Sequence, residues 1–423
     1  MEHVKYVIVG NSAGGMSAAR EIRRRDASGR VVVLSEERYP AYSRPLIAKH
    51  VAEGKSVDKM RLVPPSFYDE LDIEVRLGTG AIGLDCSTNT IKTDEGGEIQ
   101  WEKLLLATGS SPVIPPVPGS DREGVFTFTT FDDAQRVSAR LPSVERAVIV
   151  GGGFIGLSAA DALRKRNIDV AIVEMMPRVL AGMLDETAST MVEVAATRAG
   201  VRVMTGRRVD AINGDSLAGR TVSSVTLDDG SRIPCEMVIM AVGVRPRTEL
   251  VDGIAEVDRG IVVDEYMRTS VPGVYSCGDA CRTLDYVRGS KGVIAVWPNA
   301  VAGGTVAGAN MAGAAEVYDG ATTLNALPYF GLSIGSAGIV SSPSEEIESV
   351  AGTERGCYRK VILKDGVVVG MVFAGDTSKC GLVHSLMKKR VNVAPWKEKL
   401  VSADFGLLSM PRELWEAQVT LEE

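Results

Sequence analysis

Residues 147–166 read AVIVGGGFIGLSAADALRKR, and this stretch decides the fold. Its apolar start predicts a buried strand, its glycines predict a tight turn, and the small residues that follow predict a helix packed closely on a sheet. A second apolar run, DVAIVE, follows at 169–174. Strand, turn, helix and strand in this order predict a βαβ unit.

The same pattern is present near the N-terminus. Residues 6–25 read YVIVGNSAGGMSAAREIRRR, and RVVVLSEE follows at 30–37. Two copies this far apart do not fit a solenoid of short repeats, but they fit two nucleotide-binding domains. The sequence therefore predicts an α/β protein with two Rossmann-like dinucleotide-binding domains.

The glycines of the second copy carry the strongest functional signal. Gly151, Gly153 and Gly156 form a full G-x-G-x-x-G, which allows a tight turn, close approach of a pyrophosphate and close helix packing. Glu174 ends the next strand, where a carboxylate hydrogen-bonds a ribose 2′-hydroxyl and repels a 2′-phosphate. NADH is therefore favoured over NADPH, although Arg178 is close enough to weaken that preference.

The first copy is less regular. Its turn contains Gly10, Ser12 and Gly15, with serine in place of the middle glycine. We expect Glu36, with Glu37 beside it, to supply the acid that follows the second strand. These residues alone predict a second dinucleotide site.

Length, charge and cysteine content narrow the functional classes. The chain has 423 residues and a net charge of −7, which argues against general affinity for nucleic acid. No apolar run approaches the ~20 residues that span a bilayer, and a strand begins almost at once, so we expect a cytoplasmic protein. Six scattered cysteines without a C-x-x-C pair predict no disulfide framework. Only three histidines are present, so we expect no histidine-rich metal site.

Five motifs taken together resemble one known family. They are GNSAGG at 10–15, LLLATGS at 104–110, GGGFIG at 151–156, AVGVRP at 241–246 and TSVPGVYSCGDA at 269–280. In this order they resemble the FAD-dependent pyridine nucleotide oxidoreductases of the disulfide-reductase fold. The resemblance implies that the first unit binds FAD and that the second binds NAD(P)H.

The resemblance and the changes in composition predict three domains. Residues 1–112 and 249–322 are expected to form a discontinuous FAD-binding domain, residues 113–248 an NAD-binding domain, and residues 323–423 a C-terminal α/β interface domain. In the last of these, Asp365-Gly366 lies between two apolar runs and predicts a hairpin turn.

The loop at residues 39–50, YPAYSRPLIAKH, is similar to that of family members without a redox disulfide, such as rubredoxin and ferredoxin reductases and apoptosis-inducing factor. By this resemblance Arg44 contacts the FAD phosphates or the adenine side, and Lys49 lies near flavin N5 as the catalytic residue. A cation there stabilises the anionic reduced flavin. The family pairs this lysine with a glutamate, whereas this chain has Ser158, so Lys49 is either unpaired or paired with Asp161.

Further site residues follow from the same resemblance. Asp279 is expected to hydrogen-bond the ribityl–phosphate region of FAD, and the helix that starts at Trp297 is expected to point its N-terminus at the flavin. The predicted FAD residues are Gly10, Asn11, Ser12, Ala13, Gly14, Gly15, Glu36, Glu37, Arg44, Pro45, Lys49, Ala81, Ala107, Thr108, Gly109, Gly278, Asp279, Val296 and Trp297. The predicted NAD residues are Gly151, Gly153, Phe154, Ile155, Gly156, Glu174, Val242 and Gly243.

The missing cysteine determines the expected acceptor. Ser43 lies near the position of the family's redox cysteine, and a serine cannot cycle through a sulfenate or a mixed disulfide. Electrons are therefore expected to pass directly between the flavin and a small redox protein of rubredoxin, ferredoxin or iron–sulfur type, in either direction. Gly331, in place of a family tryptophan, favours the rubredoxin reductases.

Two alternatives stay open. Cys277 and Cys281 would lie beside FAD and would allow a disulfide, persulfide or oxygen reductase, although small residues there also serve packing alone. The other alternative is a flavin-bearing interaction protein that responds to NADH, and a homodimer stays open with it. The basic clusters at 23–25 and 388–390 are candidate docking patches for an acidic carrier, but cations are also favoured at helix C-termini.

Overall fold

The computed structural model describes residues 2–215, 220–341 and 347–412. Within them the strands, numbered β1 to β25 in chain order, span Glu2–Val9, Val31–Ser35, Ile73–Leu77, Ala81–Asp85, Thr90–Thr93, Glu98–Leu106, Ser110–Pro112, Val125–Phe126, Arg146–Val150, Asp169–Glu174, Val201–Thr205, Val209–Gly214, Val222–Leu227, Arg232–Pro234, Met237–Met240, Val244–Pro246, Ile261–Val262, Val274–Ser276, Cys281–Asp285, Ser290–Gly292, Leu324–Tyr329, Leu332–Gly338, Ile347–Glu354, Cys357–Lys364 and Val367–Gly375. The helices α1 to α8 span Ala13–Arg25, Ile47–Glu53, Phe67–Glu70, Phe131–Arg140, Phe154–Arg164, Glu186–Arg198, Trp297–Met311 and Cys380–Lys388. The chain forms two compact units.

The first unit comprises residues 1–115, 126–142 and 242–322. Its main sheet has the order β3-β2-β1-β6-β5-β4, and β18 also pairs with β6. Strands β3, β2, β1, β6 and β18 are parallel, whereas β4 and β5 extend the sheet in antiparallel fashion. Strand β2 is buried from end to end, as expected for a parallel sheet covered on both faces. The first predicted βαβ unit is therefore present as β1, α1 and β2.

Helix α1 packs on α7 through backbone atoms. A Cβ atom at Gly304 would lie 2.2 Å from the carbonyl oxygen of Gly14, and one at Gly308 would lie 2.5 Å from that of Ala18. A side chain at either glycine would push the two helices apart. Helix α7 is therefore a close-packing element that covers α1.

The second unit comprises residues 116–125, 143–241 and 323–423. Its first sheet has the order β11-β10-β9-β15-β8, in which β9, β10, β11 and β15 are parallel. Helix α5 connects β9 to β10, so the second predicted βαβ unit is also present. An antiparallel sheet, β12-β13-β14, shares a buried apolar cluster with it, in which Val225 joins Val148 and Val238.

The C-terminal part of this unit is an antiparallel sheet of order β21-β22-β25-β24-β23. Asp365 and Gly366 join β24 to β25 with φ angles of +51° and +76°, which confirms the predicted two-residue hairpin turn. Tyr358 of β24 donates a hydrogen bond of 2.6 Å to the carboxylate of Asp185, which caps the N-terminus of α6. Lys360 lies 3.2 Å from the same carboxylate.

The two units divide the chain differently from the predicted domains, for example at helix α4, at residues 242–248 and at the C-terminal sheet. Helix α4 lies in the first unit, not with residues 143–241, because the Phe131 ring packs 6.0 Å from Tyr42 and 4.7 Å from His50. The C-terminal sheet is not separate from residues 143–241, because the bond from Tyr358 to Asp185 is one of several that join them.

Two properties of the described residues bear on membrane insertion and on metal binding. None of their helices combines the length and apolar character that crossing a bilayer requires. They also contain no group of three or more His, Cys, Asp or Glu side chains placed to hold a metal ion.

Candidate dinucleotide-binding sites

The turn between β9 and α5 needs glycine at two positions for reasons internal to the protein. Gly151 has a φ of +111°, and a Cβ atom at Gly156 would lie 2.0 Å from the Gly151 carbonyl oxygen. At Gly153, the N-cap of α5, a Cβ atom would meet no atom within 4 Å. The fold itself therefore does not require glycine at 153, but a pyrophosphate approaching the helix N-terminus does. This open space fits a dinucleotide.

Glu174, the last residue of β10, faces the same turn. One carboxylate oxygen accepts a hydrogen bond of 2.5 Å from the Gly152 amide, and the other accepts one of 2.7 Å from the Met176 amide. Two backbone donors therefore fix the carboxylate where a ribose-binding acid is expected. Arg178 instead directs its guanidinium to the carbonyl oxygen of Ala181, at 3.4 Å.

The turn between β1 and α1 is more tightly enclosed. Gly10 has a φ of +120°, and a Cβ atom there would lie 2.1 Å from the carbonyl oxygen of Ala107. A Cβ atom at Gly15 would lie 1.9 Å from the Gly10 carbonyl oxygen, and one at Gly14 would lie 2.7 Å from the sulfur of Cys277. Neighbouring protein atoms therefore explain all three glycines.

The two units differ in the residue that ends the second strand, where a ribose-binding acid is expected. In each unit the first glycine of the turn donates a 2.9 Å hydrogen bond to a carbonyl of the second strand, Leu34 in the first and Val173 in the second. The next residue is Ser35 in the first unit and Glu174 in the second. Glu36, predicted as the acid that follows the second strand, comes one residue after this position, directly after the end of β2. Contact of Glu36 with a cofactor stays a prediction.

The loop after β2 holds its arginine with a glutamate and a tyrosine. Glu37 pairs with Arg44 and accepts a 2.5 Å hydrogen bond from the Tyr42 hydroxyl, which itself accepts one of 2.8 Å from the Phe131 amide. Burial raises the pKa of Tyr42 well above its usual range, so this hydroxyl stays protonated. Arg44 also donates to the carbonyl oxygen of Thr129 at 3.2 Å, yet 42% of its side chain is exposed. It is therefore oriented and still accessible to an anion.

Sequence reasoning missed Arg247, which connects several predicted FAD residues. Its side chain donates to Ser111 at 2.7 Å and to Glu36 at 2.5 Å. Its amide donates to the Gly109 carbonyl at 3.0 Å, and its carbonyl accepts from the Thr108 hydroxyl at 2.8 Å. The signal was present in the sequence, since Arg247 ends the VRPR that follows the second unit's last parallel strand.

Asp279 lies in a short helical turn, Gly278–Ala280, which begins one residue after the end of β18. It accepts a hydrogen bond of 3.0 Å from the Ser110 hydroxyl. Burial raises the pKa of its carboxyl, and the Ser110 hydrogen bond and the charge of Arg44 oppose that rise. A withdrawn carboxylate at the carboxyl ends of parallel strands fits a polar group of FAD, because ligands of open α/β sheets bind at that edge.

The residues predicted to control the flavin are less constrained. Lys49 is exposed on α2 and has no ion-pair partner among the described residues of its unit, and Trp297 is half-buried at the first position of α7. Asp161 pairs with Lys165 at 2.8 Å and accepts a hydrogen bond of 3.3 Å from the Phe330 amide. Asp161 is therefore engaged within its own unit, and both alternatives for Lys49, unpaired or served by Asp161, stay predictions.

The remaining predicted residues divide between the two units. The predicted FAD residues all belong to the first unit, in which Pro45 is exposed and Ala81 begins β4. Of the predicted NAD residues, those from 151 to 174 belong to the second unit, whereas Val242 and Gly243 belong to the first. Gly243 has a φ of +123°.

The two cysteines that could form a redox pair are buried. Cys277 is 1% exposed and Cys281 is 0% exposed, and both are free thiols. Burial raises the pKa of Cys277 to about 12 and also raises that of Cys281. Cys281 donates a hydrogen bond of 3.3 Å to the Gly278 carbonyl oxygen. These properties are typical of structural cysteines, because reactive ones are accessible and readily ionised.

The two basic clusters differ in how their charge is used. Arg23 donates to backbone carbonyl oxygens of its own unit, and Arg24 and Arg25 share the carboxylate of Glu21. Residues 388–390 are exposed at the end of α8 and have no ion pair within the part of the chain that the structure describes. Only the second cluster therefore offers unpaired charge to a partner.

The geometry defines a protein with two dinucleotide-binding turns of the same topology and different surroundings. Residues 4–304 match the pyridine nucleotide-disulphide oxidoreductase family, and residues 322–391 match the rubredoxin NAD+ reductase C-terminal domain. The chain belongs to the pyridine nucleotide-disulphide oxidoreductase family, which confirms the resemblance drawn from the five motifs. It is an FAD-dependent NAD(P)H:acceptor oxidoreductase.

The chain covers different shares of the length of its individual relatives. The NADH-dependent phenylglyoxylate dehydrogenase subunit epsilon of Aromatoleum evansii is 32% identical over 410 residues, which are 95% of this chain and 96% of that subunit. The assimilatory nitrate reductase electron transfer subunit of Bacillus subtilis is 28% identical over 394 residues, and the chain spans only 50% of its length. Among solved structures, an NAD-dependent persulfide reductase from A. fulgidus aligns with a TM-score of 0.87 and 26% identity over 95% of this chain and 80% of that one.

Proposed function

We propose that the protein passes electrons from NADH, through FAD, to a small one-electron carrier of rubredoxin, ferredoxin or iron–sulfur type. The observation that carries this proposal is the loop at residues 39–50, which contains Arg44 and Lys49 but no thiol. Cys277 and Cys281 are buried and resist ionisation. With no cysteine in this loop and these two thiols buried, the expected surroundings of the flavin offer no accessible thiolate to relay electrons to a disulfide. The match of residues 322–391 to a rubredoxin reductase domain supports a protein acceptor.

The side chains of the protein act by binding and orienting. In the second unit the N-terminus of α5 would hold the NADH pyrophosphate, and Glu174 would accept hydrogen bonds from the ribose. In the first unit Arg44, fixed by Glu37, would hold an anionic group of FAD, and Lys49 would add positive charge at the flavin. Bound FAD supplies acceptance of a hydride and release of single electrons.

We also propose that NADH is used in preference to NADPH. The support is the position of Glu174, whose two oxygens are held at 2.5 and 2.7 Å by backbone amides. A carboxylate fixed in this way would repel a 2′-phosphate and could not turn away from it.

We propose further that the acceptor is a small acidic protein. The support is the exposed cluster at residues 388–390, which is unpaired among the described residues in a chain whose net charge is −7. Opposite charge on a partner would speed the encounter and fix its orientation. Two matched relatives are also subunits, one of them an electron transfer subunit.

The deciding experiment is an oxygen-free titration of the purified flavoprotein with NADH, followed by the visible absorbance of the flavin. Complete bleaching by one equivalent of NADH per FAD is expected, because the flavin is then the only centre that takes up electrons. Consumption of a second equivalent before bleaching is complete would reveal a redox-active thiol pair and overturn the proposal in favour of a disulfide or persulfide reductase.

The control for that titration is the double variant Cys277→Ser/Cys281→Ser, which should give the same stoichiometry. The same preparations are then assayed with rubredoxin, ferredoxin, a disulfide and oxygen as acceptors, and the fastest turnover is expected with one of the two proteins. Slow turnover with all four, together with NADH-dependent dimerisation in light scattering, would favour an interaction protein instead.

A further inference from the structure

The C-terminal sheet presents a strained hairpin tip. Strands β21 and β22 pair from Tyr329 to Leu332, so Phe330 and Gly331 alone form the turn. Their φ angles are +52° and +81°, as a type I′ turn requires. Glycine adopts this conformation readily, but a bulky phenylalanine does not. Surrounding structure must therefore hold Phe330 in place, and strained positions of this kind are frequent at functional sites.

The tip contacts the first two turns of α5. The Tyr329 hydroxyl donates a hydrogen bond of 3.3 Å to the carbonyl oxygen of Phe154, and the two rings are stacked 6.2 Å apart at 17°. The Phe330 amide donates a hydrogen bond of 3.3 Å to the side chain of Asp161, which lies further along the same helix. The hairpin tip therefore contacts the helix at two points, once through the side chain of Tyr329 and once through the backbone amide of Phe330.

The first of these points is the start of the phosphate-binding helix. Phe154 directly follows Gly153, the N-cap that faces open space. The Phe154 carbonyl forms one planar peptide group with the Ile155 amide, a free donor of the first turn, so fixing the carbonyl fixes the direction of that donor. Tyr329 is 2% exposed, and burial keeps its hydroxyl protonated by raising its pKa.

We infer that Tyr329 is a positioning residue for the nicotinamide dinucleotide: through the Phe154 carbonyl it holds the first turn of α5 in its binding orientation. The inference rests on the proposed binding of NADH at that turn. It gives the C-terminal sheet a role in the electron donor site. A hydroxyl lost from Tyr329 would let the turn move, and NADH would then bind more weakly with no change in the hydride step itself.

The test compares Tyr329→Phe with Tyr358→Phe in the FAD-loaded full-length protein. Both variants remove one buried hydroxyl from the same sheet, but Tyr358 donates to Asp185 at the start of α6. Stopped-flow flavin reduction at increasing NADH gives the Kd and the limiting rate. Tyr329→Phe is expected to raise the Kd about three- to tenfold, the usual range for one lost hydrogen bond, with an unchanged limiting rate. Tyr358→Phe is expected to lower the Tm and leave the Kd unchanged.

Two results would overturn the inference: an unchanged Kd in Tyr329→Phe, or an equal rise in Tyr358→Phe, which would indicate general loosening of the sheet. If Tyr329→Phe is not recovered folded, Asp161→Ala removes the acceptor of the Phe330 amide and should raise the Kd in the same direction; an unchanged Kd would again contradict the idea. Gly153→Asp separates this inference from the proposed site. If that variant binds NADH normally, the site itself is wrong, whereas lost binding there with a normal Tyr329→Phe defeats only the positioning role.

Discussion

The two βαβ units have the same backbone arrangement, but different residues surround it. Each turn closes with the same 2.9 Å hydrogen bond to the second strand, and in each the last glycine of the turn would place a Cβ atom within about 2 Å of a carbonyl, at 1.9 Å in one and 2.0 Å in the other. The first unit then has Ser35 where the second has Glu174. The comparison teaches that strand and turn are alike in the two units, whereas the residue that ends the second strand differs, and this is where we expect the nucleotides to be distinguished.

The two helices are also supported differently. Helix α1 lies against α7 with backbone contact at Gly304, whereas α5 is gripped by the side chain of Tyr329 and the amide of Phe330. Backbone contact leaves no room for a side chain, whereas removing a side-chain hydroxyl takes away one hydrogen bond without introducing a clash. The first site is therefore expected to respond to substitution by losing structure, and the second by losing affinity.

The largest effect should follow from Gly10→Ala. The new Cβ atom would overlap the Ala107 carbonyl at 2.1 Å, and the φ of +120° is unfavourable for alanine, so we expect a destabilisation of about 3 kcal/mol or more. Loss of bound FAD and a lowered Tm are the measurements. Gly153→Ala is the matched control, since its Cβ atom would meet nothing. Retention of FAD and Tm by Gly10→Ala would break the comparison.

The next effect is that of Gly153→Asp, which tests whether the second turn is shaped by its ligand. Aspartate is favoured at a helix N-cap, so the Tm should hold or rise. A carboxylate placed where the pyrophosphate binds should weaken NADH about a hundredfold or more, because like charges in contact cost several kcal/mol. Titration of NADH against the FAD-loaded variant measures this, and an unaltered Kd would show that the dinucleotide binds elsewhere.

A smaller effect is expected when the second unit is made like the first by Glu174→Ser. The ratio of kcat/KM for NADH over that for NADPH should fall about tenfold, the usual worth of a hydrogen bond to a charged group. Met175→Ser, one residue further and 65% exposed, is the control and should leave the ratio unchanged. Equal ratios in wild type and Glu174→Ser would mean that this carboxylate does not select the nucleotide.

The smallest effect concerns Cys277, which lies under the first turn only. Because its pKa is raised to about 12, the thiol stays neutral as pH rises past 9, where an exposed cysteine would already be half ionised. Iodoacetamide at pH 9 should therefore leave Cys277 unmodified in the folded protein and modify it in urea, as read by mass spectrometry. Rapid modification of the folded protein would show that Cys277 is accessible and reactive, and would favour the alternative in which it takes part in the redox chemistry.

Local patterns were enough to predict most of the architecture. The apolar strands, the glycine turns and the Asp365-Gly366 hairpin each depend on neighbouring residues, so the sequence showed them directly.

Details that depend on register or on distant segments could not be read. Two consecutive glutamates follow β2. Only the hydrogen bond from the Gly10 amide to Leu34 shows that Ser35, the residue before them, occupies the position that Glu174 has in the second unit. The bonds of Arg247 and the grip of Tyr329 on Phe154 join segments far apart in the chain, for which spacing gives no signal. The place of α4 in the first unit depends likewise on the packing of its Phe131.

The contact between α1 and α7 has a consequence for how the chain is made. Helix α1 is synthesised before its partner α7, and the whole segment from 143 to 241, which belongs to the other unit, lies between them. Contacts so distant in sequence close slowly. During synthesis the early segment must therefore wait with one face of α1 uncovered, and a chain released before Gly304 and Gly308 would expose that face to chaperones or proteases.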